Sequence, residues 1–228
     1  WIDRSFGFAT AVGEARHALR AAHAEAKGAW NGIGLVKLMG RHSGFIAAHA
    51  TLASSDVNFC LVPEVDVPLD GDHGLLERVE ARLRDRHHAV VVVAEGAGQE
   101  HLEGHDPQRV DASGNRRLGD IGVFLKRRLG DHLTRVDLSH TIKYIDPSYS
   151  IRSQPANAID AEYCMALAQH AVHAAMSGRT NLVVGSWNGH YTHVPIPLAV
   201  SERKTLRAAR DTWQRVLEAT GQPAWATA

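Results

Sequence analysis

The sequence predicts an α/β fold of three layers (α/β/α), with helices on both faces of a mainly parallel sheet. Three observations predict it. Apolar runs of strand length alternate along the chain with segments of helical periodicity. The run at 89–94, Ala-Val-Val-Val-Val-Ala, is unbroken, which is typical of a parallel strand covered on both faces. The length of 228 residues is enough to bury one good core.

The individual elements are predicted from periodicity and from the residues that interrupt it. Ala, Val and Leu recur at helical spacing in the first long segment, and a glycine follows the last, alanine-rich one. The predicted helices are 8–27, 44–53, 74–86, 121–129 and 160–177. The predicted strands are 33–38, 58–62, 89–94, 141–145, 182–184 and 191–194.

Turn residues connect these elements. Asn188-Gly189 predicts a hairpin turn between the last two strands, because this pair readily adopts the positive φ angles of such turns. Residues 111–115, Asp-Ala-Ser-Gly-Asn, predict a turn within a polar stretch. The segment after Asp146-Pro147 is predicted to be a loop.

Composition and charge exclude several classes of partner. Lys plus Arg and Asp plus Glu both number 25, so no net field favours nucleic acid or an anionic membrane surface. No stretch of 18 apolar residues is present, and we expect no membrane span. The 15 histidines are scattered without the spacing of a metal site, and we expect no metal ligands in this chain.

The cysteines indicate the cellular compartment of the protein, and the first residues indicate whether the chain is a fragment. Cys60 and Cys164 are distant in sequence and lie in apolar surroundings, so we expect buried free thiols in a reducing compartment, namely the cytoplasm. The sequence opens on Trp1-Ile2-Asp3 without an initiator methionine, as if in the middle of a segment. We therefore expect a fragment of a longer protein.

The most informative motif is Met39-Gly40-Arg41, which stands between the first predicted strand and the helix that follows it. Ligands of open α/β sheets collect at the carboxyl ends of strands, above the amino ends of the next helices. A glycine there lets a ligand approach the backbone, and an arginine offers a planar fork of donors suited to phosphate. The motif therefore predicts an anion-binding site.

Two further polar clusters follow predicted strands. Glu95-Gly96 comes directly after the run at 89–94, and Tyr149 to Arg152 follows the strand at 141–145. In a parallel sheet the first of these clusters lies at the same edge as Arg41. A carboxylate that accepts hydroxyl hydrogen bonds and two guanidinium groups that grip phosphate suit a phosphorylated polyol.

Structural roles are open for the same residues. Arg41 is equally consistent with capping a turn or pairing with Glu64, which has the same position at the end of a strand as Glu95. Glu95 is also consistent with an acid favoured by the dipole of a following helix. Tyr149 is consistent with a half-buried packing residue, with Arg152 as a solvated charge.

Six segments in register resemble the 6-phosphofructokinase family, and most closely its branch of plant ATP-dependent and kinetoplastid enzymes. The resemblance covers nearly the whole chain. Any one of these motifs alone would be weak evidence for the family, but six of them in the same order are strong evidence. In chain order the segments are Phe-Gly-Phe-Ala-Thr-Ala (6–11), Val-Lys-Leu-Met-Gly-Arg-His-Ser-Gly-Phe-Ile-Ala (36–47), Leu-Val-Pro-Glu (61–64), Val-Ala-Glu-Gly-Ala-Gly (93–98), Tyr-Ile-Asp-Pro-Ser-Tyr-Ser-Ile-Arg (144–152) and Ala-Val-His-Ala-Ala-Met-Ser-Gly-Arg-Thr (171–180).

The resemblance implies roles for the motif residues. Met39, Gly40 and Arg41 would contact the sugar phosphate, and Arg41 would also neutralise charge on the transferring group. Glu95 would accept hydrogen bonds from sugar hydroxyls. The implied reaction, a step of glycolysis, transfers a phosphoryl group to the 1-hydroxyl of fructose 6-phosphate.

The remaining matches lie near the substrate's 6-phosphate. Tyr149 and Arg152 match the pair that reaches that phosphate, whereas Lys143 matches only loosely an arginine contributed by a neighbouring subunit. Some branches have another such arginine seven residues before the methionine of the motif. This chain has Gly32 at that position, a departure that leaves the second contact between subunits open.

The resemblance also implies what belongs upstream of Trp1, namely a nucleotide loop and a Thr-Ile-Asp-Asn-Asp catalytic loop that carries the base and a magnesium-binding aspartate. Residues 1–150 would form the domain that binds fructose 6-phosphate. Residues 151–228 would form a C-terminal segment that packs on the missing nucleotide-binding half, so the exposed face of the helix at 160–177 is expected to be apolar. The fragment alone is expected to be inactive, because phosphoryl transfer requires positioning and metal-assisted charge neutralisation.

The implied parent protein is an allosteric homodimer or homotetramer that uses Mg²⁺ and ATP. A pyrophosphate-dependent phosphofructokinase and a non-catalytic regulatory paralogue are the alternatives, and an intact or substituted catalytic loop upstream would distinguish enzyme from paralogue. A dinucleotide-binding domain is rejected, because no Gly-x-Gly-x-x-Gly follows a strand and no acid lies at the required distance.

Overall fold

The computed structural model describes residues 2–102, 118–206 and 211–225. Two sheets are formed within these ranges. Their strands are β1 (Gly32–Leu38), β2 (Phe59–Leu61), β3 (His88–Ala94), β4 (Thr141–Ile145), β5 (Leu182–Trp187) and β6 (His190–Pro195). The first four form a parallel sheet of order β2-β3-β1-β4, and the last two form an antiparallel hairpin.

Helices cover both faces of the parallel sheet. They are α1 (Phe8–Gly28), α2 (Phe45–Ser54), α3 (Leu75–Arg86), α4 (Ile121–Arg135), α5 (Ser148–Arg152), α6 (Ala158–Met176), α7 (Ile196–Ala199) and α8 (Asp211–Thr220), with a 3₁₀ turn at Gln99–His101. The pair α1 and α2 packs on one face, and the pair α3 and α4 packs on the other. The predicted three-layer α/β/α fold is therefore confirmed.

The central strands are buried because helices press closely on them. Val90 to Val93 of β3 have no exposed surface, as predicted for a strand covered on both faces. Gly32 and Gly34 of β1 lie directly beneath α1, where an added Cβ atom would stand 2.1 Å and 2.7 Å from backbone oxygens of that helix. The structure therefore has no room for an arginine at position 32.

Several element boundaries differ from the sequence-based predictions. Residues 148–152 form helix α5 and not the predicted loop. The side chain of Asp146 accepts a hydrogen bond from the backbone N–H of Ser148, an Asx turn that leads into the helix. Helix α4 continues to Arg135 because Leu129 and Leu133 extend its buried face. The hairpin strands are longer than predicted, since pairing runs to the end of each strand.

Other local predictions can be compared with the structure directly. Asn188 and Gly189 have φ angles of 50° and 77°, which confirms the hairpin turn. Both cysteines are free, and Cys60 is buried, but Cys164 is only partly buried. The turn predicted at 111–115 lies outside the described residues. No helix in the described part of the chain is both long and apolar enough to cross a bilayer.

Helix α6 exposes an apolar face, as the family resemblance implies. Ile159, Met165, Val172 and Met176 are between 57% and 83% exposed. The buried residues of this helix are Asp160, Tyr163 and Ala174. Asp160 has no exposed surface, because it is bonded to Thr10 of α1. What covers the apolar face in the full-length protein stays a prediction.

Candidate functional site

The parallel register brings the predicted site segments to one edge of the sheet. Leu38 at the end of β1 pairs with Ala94 at the end of β3, and Val36 pairs with Ile145 at the end of β4. The segments that begin at Met39, Glu95 and Asp146 therefore leave three adjacent strands side by side. This edge is where ligands bind in open α/β sheets.

The loop after β1 has an unusual backbone. Gly40 has a φ angle of 151°, and Arg41 has a φ angle of 47°, in the left-handed region. A non-glycine residue in such a region costs about 1–3 kcal/mol and persists only where its surroundings hold it in place. The backbone N–H of Ser43 donates to the oxygen of Gly40 at 3.0 Å and closes the turn.

Glu95 supplies the restraint on this loop. Its Oε1 atom accepts hydrogen bonds from the backbone N–H of Arg41 at 2.9 Å and of Gly40 at 3.3 Å. Its own backbone N–H donates to the oxygen of Leu38 and continues the pairing of β1 with β3. Glu95 is therefore the acceptor for the loop that carries Arg41, and it does not cap a following helix.

The neighbours of Glu95 fit this contact closely. A Cβ atom on Gly96 would lie 1.7 Å from the backbone oxygen of Arg41, so only glycine allows the two loops to approach. Gln99, which is 9% exposed, donates to the backbone oxygen of Glu95 at 2.7 Å and accepts from the backbone N–H of Gly119 at 2.9 Å. Sequence reasoning missed Gln99, whose only signal is a polar residue at the start of a turn.

Glu64 has a structural role at the same edge. Its carboxylate accepts hydrogen bonds from the backbone N–H of Gly44, just before α2, and of Leu206. Burial raises the pKa of Glu64, although these two N–H donors oppose the shift. The carboxylate thus fastens the end of the motif loop to the C-terminal part of the chain.

A cavity of about 410 Å³ lies beside the motif. Met39 and Arg152, which are distant in sequence, both line it, together with Phe6, Phe8, Ile151 and Cys164. Two of the predicted site residues are therefore brought to a common cavity. The wall of the cavity is largely apolar. Among the described residues that line it, Arg152 is the one with a cationic side chain.

The other predicted site residues do not line this cavity; these are Gly40, Arg41, Glu95, Tyr149 and Lys143. Arg41 and Glu95 are in contact in the adjoining loops. Tyr149 lies on α5 with Arg152 but is 88% exposed, which excludes the half-buried packing role. Lys143 is exposed on β4, two residues before the end of that strand, and so is set back from the edge.

Buried hydrogen bonds hold the wall of the cavity at residues 5–8. Asp160, with no exposed surface, accepts from both the backbone N–H and the hydroxyl of Thr10 at 2.7 Å. Tyr163 donates to the backbone oxygen of Arg4, whose guanidinium lies 4.6 Å from the centre of the tyrosine ring. Burial would raise the pKa of Asp160, but the two Thr10 donors, assisted by the Gly7 N–H and Arg4, lower it below its usual value.

Lys37 forms a second cluster that sequence reasoning missed. Its Nζ atom lies 2.9 Å from Oδ2 of Asp146 and 3.1 Å from Oδ2 of Asp120, and the Tyr144 hydroxyl donates to Asp120. Burial would lower the pKa of Lys37, but Asp146, Tyr144 and Asp120 together raise it above its usual value. A charged residue within an otherwise apolar strand was the available signal.

The described residues do not suit a resident metal ion. No group of three or more His, Cys, Asp or Glu side chains in ranges 2–102, 118–206 and 211–225 is arranged to hold one. The carboxylates of Asp120 and Asp146 both pair with the amine of Lys37, which lies where a cation would stand. No chemical step is therefore assigned to a metal held by these residues.

Comparison of the chain with known proteins shows which family it is similar to. A family model described as Phosphofructokinase matches residues 1–175. An ATP-dependent 6-phosphofructokinase of Borreliella burgdorferi is 47% identical over 98% of this chain and 51% of its own length. ATP-dependent 6-phosphofructokinase 7 of Arabidopsis thaliana is 47% identical over 98% of this chain and 46% of its own length. The chain thus spans about half the length of the curated relatives it matches.

A solved structure supports the fold independently. The pyrophosphate-dependent phosphofructokinase of Marinobacter aquaeolei superposes with a TM-score of 0.66 over 96% of this chain and 55% of its own, at 20% sequence identity. At that identity the similarity establishes the shared fold alone.

Proposed function

The chain belongs to the phosphofructokinase family, and we propose that it is the sugar-phosphate-binding portion of a 6-phosphofructokinase. The proposed reaction transfers a phosphoryl group from ATP to the 1-hydroxyl of fructose 6-phosphate. The observation that carries this proposal is the convergence of the Met39–Arg41 loop, Glu95 and α5 at the carboxyl edges of three adjacent strands.

We assign the phosphate of the substrate to the cavity lined by Met39 and Arg152. The guanidinium of Arg152 suits a phosphate dianion, and the exposed hydroxyl of Tyr149 lies one helical turn before it as a further donor. Lys143 is set back along β4, so its contact with substrate is the weakest assignment.

We place the reacting end of the sugar at the Gly40–Arg41 loop. The backbone of Gly40 permits close approach of a ligand, and the fixed charge of Arg41 suits stabilisation of the transferring phosphoryl group. Glu95 holds that loop through Oε1, so its proposed contact with sugar hydroxyls is additional to a positioning role.

The nucleotide, Mg²⁺ and the catalytic base are assigned to the half of the relatives' length that this chain does not match. ATP is favoured over pyrophosphate because these relatives are named ATP-dependent. A cytoplasmic location and assembly as a homodimer or homotetramer also stay predictions.

The proposal is tested on the full-length protein. Purified enzyme is supplied with fructose 6-phosphate and either ATP or pyrophosphate, and the product is identified by phosphorus NMR. Arg152→Ala is expected to raise KM for fructose 6-phosphate by about 10-fold or more, and KM for ATP by less than about 2-fold. Arg20→Ala, an exposed position on α1, is the control for loss of a surface charge.

Two outcomes would contradict the proposal. Absence of any phosphorylated sugar with either donor would favour a regulatory paralogue that only binds sugar phosphate. An equal rise of both KM values in the Arg152 variant would remove the assignment of the 6-phosphate to this cavity.

A further inference from the structure

We propose that Lys37 is a positioning residue that fixes α5, and with it Arg152, relative to the Met39–Arg41 loop. The inference rests on the proposed function, because it concerns the site assigned there to fructose 6-phosphate. Its basis is the ion-pair cluster that joins β1 to the segments after β4 and before α4.

The register of the sheet brings Lys37 and Asp146 together. Val36 of β1 pairs with Ile145 of β4, so the next residue on each strand stands side by side at the carboxyl edge. Lys37 lies in β1, the strand that ends directly before Met39. One amine therefore connects the strand that leads into the motif with Asp146, two residues before the start of α5.

The connection continues into α5. While Oδ2 of Asp146 pairs with Lys37, its Oδ1 atom accepts from both the backbone N–H and the hydroxyl of Ser148, the first residue of that helix. Arg152 is the last residue of the same short helix and lines the cavity with Met39. A movement of the Asp146 carboxylate is thereby transmitted to the position of Arg152.

Stability alone does not account for a lysine at this place. The side chain is 13% exposed, and taking an ammonium group out of water is unfavourable unless partners compensate. An apolar side chain in a strand between two helical layers would serve the core as well, since replacing such ion pairs by apolar residues is often neutral or stabilising. What the lysine adds is a fixed position for the carboxylates of Asp120 and Asp146 at the carboxyl edge of the sheet.

Loss of the amine is expected to displace α5 without unfolding it. In Lys37→Met the carboxylates of Asp120 and Asp146, which are 44% and 36% exposed, keep access to water but repel one another. Asp146 then turns outward and takes the start of α5 with it. Misplacement of a binding group by about 1 Å is enough to weaken a reaction up to about 10²-fold.

The test compares steady-state kinetics of the full-length enzyme and its Lys37→Met variant. We expect KM for fructose 6-phosphate to rise by about 10-fold, with KM for the phosphoryl donor and kcat each changed by less than about 3-fold. Asp146→Asn, which keeps an oxygen for Ser148, is expected to give a similar rise. The double variant is expected to be no worse than the larger single effect, because both substitutions break one contact.

Glu80→Gln is the matched control. Glu80 pairs with His132 and Arg84 in the α3–α4 layer, so its loss removes an ion pair of similar burial that has no link to α5. We expect its KM values to stay those of the wild type. Equal changes of both KM values in Lys37→Met, additive effects in the double variant, or a KM rise in Glu80→Gln would each overturn the proposal.

Hydrogen exchange separates this inference from the proposed function. Amides of residues 148–152 are expected to exchange at least about 10-fold faster in Lys37→Met, while those of β3 stay protected. If the wild-type enzyme does not phosphorylate fructose 6-phosphate, the proposed function fails, and exchange still tests the link to α5. Unchanged exchange at 148–152 would overturn the role of Lys37 whatever the substrate.

Discussion

The carboxylate of Glu95 accepts a hydrogen bond from the backbone N–H of Arg41 at 2.9 Å, across 54 residues of sequence. The residue that follows β3 thereby holds the left-handed backbone of Arg41, in the loop that follows β1. In a parallel sheet these two positions are neighbours, so a strained loop is stabilised by the adjacent strand end. The site depends on this contact before any ligand arrives.

Glu95→Ala is expected to lower the free energy of unfolding by about 1.5–3 kcal/mol, because it removes a charged acceptor for two backbone donors. Glu95→Gln keeps one acceptor oxygen and is expected to lose less than half as much. Denaturant unfolding of both variants measures the difference. Equal losses would mean that charge, and not the acceptor geometry, is what the loop requires.

Gly96→Ala is expected to destabilise the protein by about 1–3 kcal/mol, because its methyl group would overlap the backbone oxygen of Arg41. The matched control is Gly13→Ala on α1, where an added Cβ meets nothing within 4 Å. That substitution is expected to stabilise by about 0.5–1 kcal/mol through helix propensity. Thermal unfolding distinguishes the two, and a neutral Gly96→Ala would show that the loops can separate.

Arg41→Ala in the full-length protein is expected to lower kcat by on the order of 10²-fold, because in the role proposed above its fixed charge acts mainly in the transition state. Arg41→Lys keeps the charge but loses the planar fork, and an intermediate kcat is expected. Initial-rate measurements with saturating substrates are sufficient. An unchanged kcat with a raised KM would assign Arg41 to ground-state binding only.

Gln222→Ala is expected to destabilise the fold by about 1–3 kcal/mol. The Gln222 amide is 6% exposed, accepts from the backbone N–H of Cys60 at 2.7 Å and donates to its oxygen at 3.1 Å. It thus replaces a missing neighbour strand at the outer edge of β2. Gln214→Ala, an exposed position on α8, is the control and is expected to be nearly neutral in urea unfolding.

The acid stability of the fold is expected to depend on Asp160. Because its pKa in the folded state is below the ordinary value of 3.8, its contribution is complete above that pH and is lost as pH falls through the lower, folded value. Asp160→Asn should therefore be less stable at neutral pH and lose less stability on acidification. Unfolding curves at several pH values below about 4, with exposed Asp131→Asn as control, test this sign.

The sequence by itself determined the α/β class, the six strands and five of the helices in their order, and the edge at which Met39, Arg41 and Glu95 meet. These follow from local periodicity, from the covering of apolar strands on both faces, and from the rule that parallel strands end together. The apolar exposed face of α6 was expected from the family resemblance, through the packing that it implies on the other half of the protein.

Only the tertiary structure decided which atoms these residues use. Glu95 grips the backbone of Arg41, α5 replaces a predicted loop, Gly32 leaves no space beneath α1, and Lys37 joins two carboxylates that are separated from it by about a hundred residues of sequence. Contacts of this kind depend on which strands are neighbours in the sheet. They also depend on which polar groups are buried, because a buried polar group is unfavourable unless it forms a hydrogen bond or an ion pair. A pattern within one segment can mark such a residue, as the charge of Lys37 does within β1, but it does not identify the partners.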